Sequence, residues 1–320
     1  MTAGPSVRSD SRHAAAGRVL HRVWLVAVIL VSATHAAEPA PPLLKMVSHV
    51  AMSRMAFSRV NENDASVAYK ILTAELGKKL GYDLSVDVTL FDSLPDFAQA
   101  IRDGRATYII TDTWNVLAMH VEDALDVEFS AVNGDSAIHR WLLLVRRDAG
   151  IKSIADLKGR KVIMLYNNMS SLGPLWLETV LLEQGLGTPG QCFNAYETVS
   201  KPTVAVLPVF FGRAQACVVD EAAFKVMSEM NPQLGQTLEP LAQSEPLLGG
   251  IVGFSHNGWP TEKARTDMRA RLANLETEPA GRQLLTLFKC TRLVPCEPAQ
   301  LDSVRRLFAR HLQLQNAPRP

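Results

Sequence analysis

Between residues 43 and 111 the hydrophobic period switches repeatedly between strand and helix spacing, and this alternation limits the fold more than any other feature of the chain. "LLKMVSHVAM" (43–52) has the length and composition of a strand, and the polar "SRMAFSRVNEND" after it reads as a loop. Ala68, Leu72, Leu76 and Leu80 then recur every four residues, which is helical spacing; Asn63 or Asp64 can cap this helix and Gly81 stops it. "LSVDVTL" alternates Leu84, Val86, Val88 and Leu90 with polar residues, as a half-buried strand does. Ser93 opens a short helix with Phe97 and Ile101 on its apolar face, Gly104 closes it, and "ATYIIT" is the next strand. Strand, helix, strand, helix, strand in this order is a parallel α/β unit.

A second unit of the same kind follows. "HRWLLLVRRD" (139–148) reads as one long strand leaving the first unit. "SIADLKGRKVIML" gives a capped short helix, a glycine turn and a buried strand, and Leu175–Gln184 the next helix. "FNAYETV" is a strand, "KPTVAVLPVFFG" a helix interrupted near Pro208, and "ACVVD" a strand. "LLGGIVGFS" (247–255) reads as a strand returning to the first unit. Thr261 then caps a helix to about Leu275, and Gln300–Leu312 carries Leu301, Val304, Leu307 and Phe308 on one side. The expectation is an α/β protein of two domains, each a mainly parallel sheet flanked by helices. Residues 43–140 plus 247–320 form one, discontinuous domain and residues 141–246 the other, and the two crossing strands joining them act as hinges. A cleft between such domains favours a small molecule.

The first 36 residues are expected to be removed. Arg8, Arg12, Arg18 and Arg22 make a basic leader, "VWLVAVILV" (23–31) is an unbroken apolar run, and "THA" ends on a small residue, so cleavage after Ala36 and export are expected. The apolar run is short of the ~20 residues that span a bilayer, although read with Ser32 and Ala33 as a signal anchor it is the alternative. With 33 basic and 32 acidic residues the chain is close to neutral, and it has no Lys/Arg cluster, which argues against a nucleic-acid partner. Four cysteines in an exported chain point to disulfides: Cys290 with Cys296 across "CTRLVPC", and Cys192 with Cys217, for which a buried free thiol at Cys217 is the alternative. Neither pair has zinc spacing.

Ligand candidates are the loops at the C-terminal ends of the strands, where open parallel sheets bind. In the first unit Asp112, Thr113 and Trp114 offer an acceptor, a hydroxyl and an aromatic wall, with ordinary packing the alternative for Trp114. In the second, "KVIMLYNNMSSLGPLWL" turns from a strand directly into a helix. Ser170 and Ser171 there add hydroxyl donors to a helix N-terminus, which suits an anion, or they only cap the helix. Lys201 is either an ammonium partner for an oxyanion or a solvated charge, and Asp220 either a ligand contact or a cap. Enzyme signatures are sparse. "GFSHNG" misses G-x-S-x-G at Asn257, and neither G-x-G-x-x-G, a P-loop nor H-E-x-x-H is present, so no cofactor is expected.

The order of "AELGKKLGYDLSVDV", "AIRDGRATYII", "IKSIADLKGRKVIML", "NNMSSLGP" and "GRAQACVVDEAAF" resembles the periplasmic phosphate, phosphite and phosphonate-binding proteins of ABC importers, across about residues 44–290. The resemblance implies a type II, venus-flytrap binding protein: a monomeric solute receptor that is not an enzyme and delivers a small anionic ligand to an inner-membrane permease. It places the family's Ser-Thr-Ser-Gly loop at Met169-Ser170-Ser171-Leu172, a family histidine near Lys201, an acidic residue near Asp220 and a cleft tyrosine near Asp112. Lys201 complements an anion, whereas Asp112 and Asp220 repel one unless it carries a proton or an amine, so the combination implies a zwitterionic or partly protonated ligand. A ligand sensor for a membrane signalling partner, and less readily a small-molecule lyase or synthase, are the competing readings.

Overall fold

A computed structural model describes residues 43–53, 62–166 and 172–317. The leader through Ala36, most of the polar loop after the first strand, and Ser170 with Ser171 lie outside the described residues. The chain runs β1 (Leu44–Ser53), α1 (Glu62–Lys79), β2 (Tyr82–Phe91), α2 (Leu94–Arg102), β3 (Tyr108–Asp112), α3 (Thr113–Met119) and β4 (Leu125–Val132), then crosses through β5 (Ile138–His139). It continues as β6 (Trp141–Arg146), β7 (Lys161–Leu165), α4 (Leu172–Glu183), α5 (Pro189–Cys192), β8 (Ala195–Val199), α6 (Pro202–Phe210), β9 (Ala216–Asp220), α7 (Glu221–Met230), α8 (Pro232–Thr237) and β10 (Leu238–Gln243). A second crossing, β11 (Leu247–Leu248), leads to β12 (Gly250–Ser255), α9 (Glu262–Leu272), α10 (Pro279–Leu287), β13 (Arg292–Pro295) and α11 (Asp302–Gln315).

The strands form two mixed sheets, ordered β13-β4-β12-β3-β1-β2 and β10-β6-β9-β7-β8. β1 pairs in parallel with β2 from Leu44↔Tyr82 to Ser53↔Phe91 and with β3 on its other side. β12, returning from the far end of the chain, lies antiparallel between β3 and β4. The second sheet repeats the plan: β8, β7 and β9 are parallel, and β6 is antiparallel to β9. The inner strands read as continuous apolar runs because helices cover both faces. Leu143, Leu144, Val162, Met164 and Val218 are fully buried, as are Met52, Phe254 and Ile109 in the first sheet.

Local chemistry sets the helix ends. Ser93 accepts the Asp96 N–H at 3.4 Å at the start of α2, and Thr261 accepts the Ala264 N–H at 3.1 Å at the start of α9. Each expected crossing strand is instead two strands. His139 pairs with Leu247, whereas Trp141 pairs with Asp220, so the backbone changes partners at Arg140 and the run breaks there. Gly249 divides the returning segment in the same way: its N–H donates to Ala137 O at 3.2 Å while its carbonyl accepts from Thr113 N.

The disulfide expectation is corrected by the structure, in which all four cysteines are free thiols. β13 runs extended between Cys290 and Cys296, and an extended run of that length separates their Cα atoms by far more than the ~7 Å a disulfide bridges. Cys217 sits in mid-sheet opposite Ile163, whereas Cys192 packs beyond the start of β7, its carbonyl accepting from Gly159 N at 2.7 Å. Among the described residues no helix is long and apolar enough to cross a membrane.

Candidate functional site

The C-terminal ends of β3, β4, β7, β8 and β9 and the N-terminal ends of β6, β12 and β13 lie along one edge of their sheets, the edge from which the crossing segments leave. A cavity of about 450 Å³ opens there, lined from the first sheet by Asn133, Gly250 and Lys289 and from the second by Trp141, Thr203 and Asp220, with His139 of the crossing between them. A cavity this size holds a small ligand.

Of the expected site residues, Asp220 lines this cavity, but both its oxygens are engaged. Oδ1 accepts the Ala223 N–H at 3.2 Å, which caps α7, and Oδ2 lies 3.0 Å from His139 Nδ1. A carboxylate paired with an imidazole repels an anion less than a bare one, so its presence is compatible with an anionic ligand. Lys201 is exposed at the N-terminus of α6, next to the lining residues Pro202 and Thr203. Asp112 is buried and caps α3, accepting the Asn115 N–H at 2.8 Å. Thr113 is fully buried and donates to Leu248 O at 2.6 Å, so its hydroxyl proton ties the start of α3 to the second crossing. Trp114 packs against α11, its ring 5.0 Å from Phe308 and 6.2 Å from His311. The structure therefore brings Asp220 into the cavity with Lys201 at its margin, and puts Asp112, Thr113 and Trp114 to structural use beside it. Ser170 and Ser171 fall outside the described residues, between Tyr166 and α4.

Three groups not anticipated from the sequence complete the cavity. Lys289 has φ 54°, a left-handed conformation that disfavours a bulky side chain. It follows the end of α10, its N–H donating to Thr286 O at 3.0 Å, where glycine is the usual residue. Trp141 is 1% exposed, and its Nε1 is a buried donor with no partner among the described residues. A Cβ on Gly173 would come within 2.6 Å of the Trp141 ring, so only glycine lets the first turn of α4 pass the indole. His139 is the third. Nothing in "FKC" or "HRW" marks these residues in the sequence, because their roles come from where the crossing and the end of α10 fall in space.

Two α/β lobes joined by a paired double crossing, with polar groups gathered where both sheets end, define a two-domain binding protein of the type II periplasmic class. The sequence profile of the phosphonate ABC transporter periplasmic substrate-binding proteins matches residues 55–301, and the chain belongs to that family. Its members are receptors that take a small ligand and work with a transporter's permease; they are not enzymes. No curated protein sequence matches the chain. Among solved structures, XAC2383 from Xanthomonas citri bound to ATP is similar over 84% of this chain and 98% of its own, at 14% identity and a TM-score of 0.61. The binding-protein component of a phosphonate ABC transporter from Pseudomonas aeruginosa is 14% identical over 84% of this chain and 87% of its own, with a TM-score of 0.56. PhnD1 from Prochlorococcus marinus in complex with methylphosphonate is 15% identical over 84% and 98%, with a TM-score of 0.54. These likenesses establish the fold.

Proposed function

We propose that this receptor is exported, cleaved after Ala36, and as a monomer closes over a small anionic ligand of the phosphonate or phosphate class in the cavity between its two sheets. Lys289 carries the reading. A lysine kept at a left-handed helix end, where glycine costs less, and lining the cavity supplies a cation where an oxyanion would lie. Lys201 adds a second positive charge at the margin and Trp141 Nε1 an unused donor. Ser170 and Ser171 remain proposed donors at the start of α4. Two solved relatives in fold bear on the same chemistry, one bound to ATP and one to methylphosphonate. The lobes proposed to move are residues 43–140 with 247–320 and residues 141–246, bending at the β5–β11 pair.

A thermal-shift screen of phosphate, methylphosphonate, alkyl sulfonates and simple carboxylates tests this. A ligand at 100 times its dissociation constant adds about 2.7 kcal/mol, so a phosphorus oxyanion is expected to raise the melting temperature by several degrees. A response confined to carboxylates, or none to any anion, removes the anion reading.

A further inference from the structure

A second cavity, of about 520 Å³, lies between α3, α4 and α11, and its lining includes Trp114, Tyr166, Glu178, Phe308, His311 and Gln315. Its polar groups differ in kind from those of the anion cavity. Among the described residues no lysine or arginine lines it; the basic side chains there are the imidazoles of His120 and His311. Glu178 is half-buried and makes no hydrogen bond or ion pair among the described residues; Arg310 of α11 is engaged by Glu183 at 2.9 Å. His311 is 3% exposed, and its Nδ1 lies 3.0 Å from Thr179 Oγ1. The Thr179 hydroxyl donates to Leu175 O at 2.7 Å, so its oxygen must accept from His311 and Nδ1 must carry the proton. Nε2 is then a bare lone pair with no partner among the described residues, on a side chain that lines the cavity. Burial lowers the His311 pKa, against an opposing pull from the Glu178 charge, and this keeps that lone pair available near neutral pH.

A carboxylate and an imidazole lone pair, both without donors, facing one cavity with Trp114 and Phe308 as aromatic walls, require a guest that brings donors and positive charge. We propose that the cavity between α3, α4 and α11 binds a protonated primary amine, its N–H groups donating to Glu178 and His311 Nε2 and its cationic head lying against the Trp114 and Phe308 rings. The aromatic walls add cation–π attraction, and a half-buried carboxylate loses less to solvent screening than an exposed one. The site uses neither Lys201 nor Lys289, the two cations of the anion reading, so it can be tested apart from that reading.

Calorimetric titration of the exported protein with butylammonium chloride tests it, with tetramethylammonium chloride and sodium butyrate as comparison probes. Saturable binding of butylammonium is expected, and about tenfold weaker binding by Glu178→Gln, which keeps the side chain's shape and removes its charge. Tetramethylammonium, which has no N–H, is expected to bind about tenfold more weakly than butylammonium, and butyrate not at all. Lys289→Gly, aimed at the other cavity, is expected to leave butylammonium binding unchanged while weakening methylphosphonate. No saturable binding of butylammonium, equal binding by Glu178→Gln and the parent protein, or tetramethylammonium binding as tight as butylammonium would each overturn the proposal.

Discussion

Lys289 sits in a backbone conformation that glycine occupies at lower energy and lines the cavity between the sheets; the proposed contact of its amine with the ligand would account for a lysine there. The two roles predict opposite effects from one substitution. Lys289→Gly is expected to stabilise the fold by about 0.5–1 kcal/mol, seen as a higher urea midpoint, because the left-handed strain is relieved. The same change is expected to cost methylphosphonate about 1.5–3 kcal/mol of affinity by titration, the worth of a hydrogen bond to a charged group. Lower stability with unchanged affinity would return Lys289 to a surface residue with no part in binding. Cys290 makes a second residue-scale case. Burial pushes its thiol up to about 11, so at neutral pH it is both unpaired and slow to react. Alkylation without reductant is expected to leave Cys290 unmodified in the folded protein and to label it fully in denaturant. A peptide joining Cys290 to Cys296 in a non-reducing map would contradict the structure.

Among the elements, the start of α4 is tightly specified by one contact. Gly173 passes against the Trp141 indole, and Trp141 lines the cavity between the sheets, so the packing of one helix turn and the shape of that cavity are coupled through one contact. Gly173→Ala must displace either the indole or the helix, and overpacking of this kind costs about 1–3 kcal/mol. The expected result is a lower urea midpoint with altered near-ultraviolet tryptophan dichroism; an unchanged spectrum would mean that the helix alone yields. This junction also shows what the sequence carried. The apolar run of β7, the small polar residues after it and the helix beyond were legible from period and capping residues, because those signals are local. The requirement for Gly173 was not, since its cause lies on β6, thirty-two residues upstream. The same limit hid the breaks at Arg140 and Gly249, where a strand changes partners without a change in its own composition. β10 and β13 are short and give little alternation to read, whereas β4 alternates Leu125, Val127, Phe129 and Ala131 with Asp126, Glu128 and Ser130 and was legible by period but passed over. Asp112, Thr113 and Trp114 were rightly placed at the end of β3, yet residue type alone could not tell a ligand contact from a cap, a tether or a packing ring. Proximity of two cysteines in sequence misled in the same way, because an extended strand carries residues apart as fast as a chain can.

At the scale of the whole molecule, α11 holds more than its own lobe. Its Arg310 and His311 are bonded to Glu183 and Thr179 on α4, its Arg306 lies 2.6 Å from Glu245 beside the second crossing, and its Phe308 packs on Trp114 of α3 and on His120 just past its end. The helix therefore ties the first sheet's α3 to the second sheet's α4 across the line where the lobes meet, and one of those ties is a buried imidazole, His311. Burial depresses the His311 pKa in the folded state below its ordinary value of 6.5, while the nearby Glu178 charge opposes that depression. The unfolded chain then binds the proton more readily than the folded one. Stability contributed by the neutral side chain is complete above about pH 6.5 and is lost as pH falls from there toward the folded-state pKa. Urea midpoints are expected to drop between pH 7.5 and 5.5 in the parent protein. His311→Asn, which cannot take up a proton in this range but can still donate to Thr179, is expected to start lower and change less over the same interval. Equal pH slopes in the two proteins would show that His311 does not govern how α11 is held.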